Sequence, residues 1–139
     1  MEISEAEWEI MRVIWASQQS TSSSILDVLI QKKEWKISTV KTLLSRLVQK
    51  GFLQTDKVGN RFIYQATLTE SEAIKNKLTH LLGQMCSKKI GSIFLEAIQW
   101  SELSQQDINQ LMLVLQEKLV TAPAKVNCHC IKGQCTCDK

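Results

Sequence analysis

The sequence predicts a mainly α-helical protein in three parts: three short helices with a β-hairpin, a longer helical region, and a cysteine-rich tail. Three observations carry that prediction. Apolar residues recur at three- and four-residue intervals along six separate segments. One stretch, Leu53 to Tyr64, instead alternates about the turn pair Gly59-Asn60. Four of the five cysteines fall between Cys128 and Cys137, after the proline-containing segment TAPAKVN.

The first helix is announced by Ser4 and Glu7, an S-x-x-E capping box ahead of Trp8, Ile10, Met11, Ile14 and Trp15. QSTSSS breaks that periodicity and supplies an N-cap for a second helix, apolar at Ile25, Leu26, Val28 and Leu29 and running to about Lys32. EWKIS, with Trp35 and Ile37, is expected to form a small strand. Ser38 is the expected N-cap of the third helix and Gly51 its C′ residue, with Val40, Leu43, Leu44, Leu47 and Val48 as the apolar stripe. Thr69-x-x-Glu72 opens a fourth helix through Ile74, Leu78, Leu81, Leu82 and Met85, and Gly83 and Gly91 predict a break near Ser87. Ile90, Ile93, Phe94, Ala97 and Ile98 belong to a fifth helix ending near Trp100. Ser104 caps a sixth, with Ile108, Leu111, Met112, Leu115 and Leu119 in a sustained stripe.

At 139 residues and 44% hydrophobic content, the chain has room for one ordinary domain, or a small one with an appendage. No apolar run approaches the roughly 20 residues that cross a bilayer, so no membrane partner is expected. MEISEAEWEI is acidic and broken by charge, unlike a secretory signal. The expected location is cytoplasmic, where thiols stay reduced and clustered cysteines favour metal or redox chemistry over structural disulfides. Net charge is only +3, yet Gln31 to Tyr64 holds eight bases (Lys32, Lys33, Lys36, Lys41, Arg46, Lys50, Lys57, Arg61) against two acids, Glu34 and Asp56. A local excess of that kind suits phosphates.

Three helices followed by a hairpin is the order of a winged helix-turn-helix, whose third helix enters the major groove of a duplex. The face of that helix opposite the apolar stripe carries Thr39, Lys41, Thr42, Ser45, Arg46 and Gln49, groups that read base edges and phosphates, with no carboxylate among them. Lys57 and Arg61 make the hairpin tip basic, fit for an adjacent backbone or minor groove. These eight residues are the expected DNA contacts. The stripe from Ile108 to Leu119 is longer than the N-terminal unit needs, which predicts a homodimer on a palindromic site.

The tail cysteines follow a Cys-x-Cys-x4-Cys-x-Cys spacing. Thiolates are soft ligands that select Cu(I) and also suit Zn(II). Each Cys-x-Cys puts two sulfurs on one side of an extended segment, and Gly133 lets the chain fold back. Cys128, Cys130, Cys135 and Cys137 then either close a tetrahedral zinc site at about 2.3 Å per bond or bridge a compact two-copper cluster. One Zn(II) or two Cu(I) ions with four thiolates carry the same net charge, so exchange at that stoichiometry must signal through geometry. His129 lies between ligands that already complete a site, and Cys86, in a helical segment, reads as a buried small hydrophobe. The linker from Val120 to Asn127 reaches at most roughly 27 Å, enough for its own helices, a partner's, or the DNA-binding unit.

ISEAEWEIMRVIW, STVKTLLSRLVQKGFL and GNRFIY together resemble the penicillinase-repressor (BlaI/MecI) family of winged-helix regulators, over about residues 3 to 120. With the tail spacing, the resemblance narrows to CopY-type copper-responsive repressors of Gram-positive bacteria. It implies a dimer that holds the operator of a copper-export operon with Zn(II) in the tail, and leaves DNA when Cu(I) displaces the zinc. It also implies Cys128, Cys130, Cys135 and Cys137 as metal ligands, Thr39 to Lys50 as recognition helix, and a copper chaperone as a partner donating Cu(I). The expected organisation is a winged-helix domain over 1–68, a helical dimerisation domain over 69–120, and a linker with metal-binding tail over 121–139. Two other functions compete: a thiol-redox repressor, with disulfides among neighbouring tail thiols, and a copper-buffering protein, which would leave the winged helix without a purpose. An enzyme is not expected, since no Ser/His/Asp or paired-carboxylate set is present and His80 and His129 lie in a helix and in the tail.

Overall fold

A computed structural model describes residues 2–137. Its elements run α1 (Glu5–Ser17), α2 (Ser22–Leu29), α3 (Ile37–Gln49), β1 (Leu53–Val58), β2 (Arg61–Ala66), α4 (Glu70–Gly83), a 3₁₀ turn (Ser87–Lys89), α5 (Ile90–Trp100) and α6 (Gln105–Thr121). The chain forms two compact units, one running through Lys77 and one starting at Leu78. No described helix is long and apolar enough to cross a membrane.

In the first unit the three helical stripes meet in one core. Ile10, Met11 and Ile14 of α1, Ile25 and Leu29 of α2, and Val40, Leu44 and Leu47 of α3 are all buried, with Leu53 of β1 closing the end. Helix α3 ends in a Schellman motif: Gly51 takes φ +84°, its N–H reaches Val48 O at 3.0 Å, and Phe52 N–H reaches Leu47 O at 3.0 Å. Only glycine adopts that left-handed geometry without strain. The motif turns the chain into β1, which pairs antiparallel with β2 from Leu53↔Ala66 to Val58↔Arg61. Gly59, at φ +64°, supplies the positive φ of the two-residue turn.

The small strand expected in EWKIS does not form. Residues 33–36 are irregular and Ile37 already belongs to α3, so Lys36 stands at the N-cap position in place of Ser38, without a side-chain hydrogen bond. The strand position beside the hairpin is taken by Ser20, whose N–H and C=O exchange hydrogen bonds with Tyr64 at 3.1 and 2.8 Å. A single residue between α1 and α2 thus adds a bridge to the hairpin.

Glu7 joins two helix ends. In the capping box its Oε1 accepts the Ser4 N–H at 2.8 Å, while Ser4 Oγ accepts the Glu7 N–H at 3.2 Å. Lys50, at the end of α3, donates to the same Oε1 at 2.6 Å and to Glu2 O at 2.9 Å. Burial pushes the Glu7 carboxyl up, but the hydrogen bonds from Lys50 and Ser4 outweigh it and hold the group below its ordinary value of 4.5. A lowered folded pKa contributes stability above the unfolded value, lost as pH falls through the folded one. Glu7→Gln is therefore expected to cost about 2 kcal/mol at neutral pH, and the gap to the parent should shrink below pH 4.5. Urea unfolding followed by tryptophan fluorescence at several pH values measures this, and a gap independent of pH would refute it.

The start of α4 packs onto α1. Trp15 Nε1 donates to Leu68 O at 3.1 Å, Trp8 and Trp15 meet edge to face at 5.3 Å, and Lys77 Nζ sits 4.4 Å over the Trp8 ring. Ala73 is the buried residue of α4. In the second unit, the predicted break falls between Gly83 and Ile90, bridged by the 3₁₀ turn. Helix α6 begins at the expected cap, Ser104, and Asp107 completes a capping box with it, with bonds of 3.0 and 3.1 Å. None of its residues is buried, and Leu119 and Val120 are 75% and 84% exposed.

Candidate nucleic-acid interface and metal centre

Helix α3 sorts its side chains by period. Val40, Leu43, Leu44 and Leu47 are buried, and Thr39, Lys41, Thr42, Ser45, Arg46 and Gln49 are all exposed on the other side. Thr42 Oγ1 donates to Ser38 O at 2.9 Å, which fixes its hydroxyl and leaves oxygen lone pairs outward. Lys57 and Arg61 are exposed beside the hairpin turn, with Lys57 Nζ 5.9 Å over the Phe62 ring. Every one of the eight sequence-selected residues is therefore open to a ligand.

Two of the bases counted in the sequence are used internally. Lys50 is bound to Glu7, and Lys32 forms an ion pair with Glu9. The hydrogen bond from Lys32 holds the Glu9 carboxyl below its ordinary value, against a smaller opposing effect of burial. The positive surface is correspondingly narrower than composition suggests, and it centres on α3 and the hairpin tip.

The tail folds back on its own unit. Ser87 Oγ donates to Asn127 O at 2.5 Å, which anchors the root of the tail beside the 3₁₀ turn. Gly133, at φ +95°, reverses the segment between the two Cys-x-Cys pairs. Sulfur atoms of Cys86, Cys128, Cys135 and Cys137 then lie within 4.8 Å of one another. Cys128 and Cys135 are 3.3 Å apart, Cys86 and Cys137 3.6 Å, and Cys86 and Cys128 3.7 Å. Four thiolates at about 2.3 Å around one ion would be separated by about 3.8 Å, so this donor set fits a soft metal. A cleft of about 650 Å³, lined in part by Met85, Cys86, His129 and Cys130, gives solvent access to the cluster.

Without metal the thiols share protons. The Cys130 backbone N–H, and then the Cys135 thiol, hydrogen-bond to Cys128 and lower its pKa to about 6. Hydrogen bonding to Cys128 pushes Cys130 up to about 12, and hydrogen bonding to Cys86 pushes Cys137 up to about 12. To hold a cation the cluster must give up the protons of these hydrogen bonds.

Cys86 is the residue that sequence reasoning misplaced. It is buried, as expected, but its sulfur joins the thiol cluster and does not face a hydrocarbon core. Its position at the helix break was the available signal, because a side chain there is not committed to a helical stripe. The tail's return to that break could not be read from the linker, whose length reached several surfaces.

The fold, the exposed polar face of α3 and the basic hairpin tip are those of a winged-helix DNA-binding protein. The chain matches the Penicillinase repressor family over residues 3–117, and it belongs to that family. It is 45% identical over 138 residues to an uncharacterized 16.5 kDa protein of Latilactobacillus sakei, covering 99% of this chain and 94% of that one. It is 32% identical over 116 residues to the penicillinase repressor of Bacillus licheniformis, covering 84% and 91% of the two chains. Among solved structures, the CopR repressor is 41% identical with a TM-score of 0.43, covering 49% of this chain and 99% of the other. The family match stops at residue 117, ahead of the four tail cysteines.

Proposed function

We propose that this chain is a copper-responsive transcriptional repressor of the cytoplasm, binding a palindromic operator as a homodimer. The observation that carries the reading is the cluster of sulfurs that the tail of a DNA-binding repressor builds with Cys86, three of its four members lying after the residues matched by the family. A soft donor set of this kind selects Cu(I) from the cell's cations and also holds Zn(II). Zn(II) belongs to the operator-bound form in this reading, and Cu(I), supplied by a copper chaperone, is the releasing signal. Thr39, Thr42, Ser45, Arg46 and Gln49 would read bases, while Lys41, Lys57 and Arg61 hold phosphates. Dimerisation is supported by α6, which keeps Ile108, Met112, Leu115 and Leu119 exposed in a single chain.

Operator gel shifts test the proposal. Zinc-loaded protein should bind the operator and release it on anaerobic titration with Cu(I). A variant with Cys128, Cys130, Cys135 and Cys137 all changed to serine should keep binding and lose the response. Continued operator binding with the thiols saturated by Cu(I) would refute copper control. A redox switch is the second reading, favoured by the 3.3 Å contact of Cys128 with Cys135, close enough to oxidise together. Thiol counting under anaerobic conditions separates the two, because copper-driven release leaves every thiol recoverable after chelation.

A further inference from the structure

We propose that Cys86 is itself a metal ligand, so that an ion held by the tail also ties it to the junction between α4 and α5. The inference rests on the metal-binding reading above and specifies how that site is built. Four sulfurs approach the spacing of a thiolate site, and the set includes Cys86 alongside Cys128, Cys135 and Cys137. Cys86 touches two of the other three, at 3.7 Å to Cys128 and 3.6 Å to Cys137. Five thiols are therefore available to an ion that takes four, and Cys130 is the one outside the tightest set.

The backbone supports the assignment independently. Cys86 is the N-cap of the 3₁₀ turn, with φ −57° and ψ 129°, outside both neighbouring helices and with no side-chain capping hydrogen bond to occupy its sulfur. The next residue, Ser87, holds Asn127 directly before the first tail cysteine. Cys86 and Cys128 are thus brought together by a hydrogen bond one residue along from each. A ligand in the helical unit gives metal binding a mechanical consequence that a self-contained tail would lack: occupancy is felt at the start of α5.

Anaerobic Co(II) titration of the full chain tests this, because thiolate charge-transfer absorption reports the number of sulfurs on the ion. Cys130→Ser leaves four thiols, and a full four-thiolate spectrum in that variant requires Cys86. The expected result is an unchanged intensity per ion in Cys130→Ser, and a loss of about a quarter in the double variant Cys86→Ser/Cys130→Ser. A loss already present in Cys130→Ser, or none in the double variant, overturns the proposal. A parent protein that takes up Co(II) without thiolate absorption overturns the metal-binding reading as well, so the two failures are told apart.

Discussion

Leu44→Ala is expected to destabilise the first unit by about 3 kcal/mol, the usual range for emptying a fully buried leucine site being 2–5. Leu44 is 0% exposed and sits in the core where α1, α2 and α3 meet. Loss of hydrocarbon transfer and the residual cavity both contribute, because close-packed neighbours collapse only in part. Stabilities of whole domains are only several times larger, so operator binding should fall with the folded fraction. Leu44→Met, which conserves volume, should cost less than about 1.5 kcal/mol. Denaturant unfolding followed by tryptophan fluorescence measures both. An alanine variant within 1 kcal/mol of the parent would mean that the α3 stripe is not holding the core.

Two residues further along the same helix the opposite behaviour is expected. Arg46→Ala should leave unfolding unchanged and weaken operator binding by about 1–3 kcal/mol, roughly 5- to 150-fold, if its guanidinium reads a base edge. Arg46 is exposed on a face without carboxylates, so nothing in its own helix competes for it. Fluorescence anisotropy on the operator and on a scrambled duplex at one salt concentration checks the claim. A base-reading arginine loses affinity mainly on the operator, while a phosphate contact loses it equally on both. No loss on either duplex would remove Arg46 from the interface.

Local signals accounted for most of the first unit. The Ser4/Glu7 capping box, the Ser104 cap, the Gly51 stop and the Gly59-Asn60 turn depend on residues a few positions apart, and each forms as its sequence implies. The α3 stripe was equally legible, because period alone separates Leu44 from Arg46. What escaped was set by partners distant in the chain. Ile37 looked like a strand residue but is the first residue of α3, and the bridge to Tyr64 comes from Ser20. Lys50 counted toward the basic excess of the segment, but α1 brings Glu7 to it from 43 residues away. Cys86 looked like a core filler because its neighbours, Cys128 and Cys137, lie 42 and 51 residues further on.

The internal use of Lys32 and Lys50 limits how the protein senses its ionic surroundings. Each phosphate neutralised by a base frees close to one condensed counterion from the duplex. With those two side chains held by Glu9 and Glu7, six of the eight bases between Gln31 and Tyr64 are left to do so. The logarithmic salt slope for one protomer then has a ceiling near −5, where the bare count of eight would allow about −7. Grip on DNA is consequently less vulnerable to a rise in monovalent salt than the composition of the segment suggests, with more of the affinity left to base contacts.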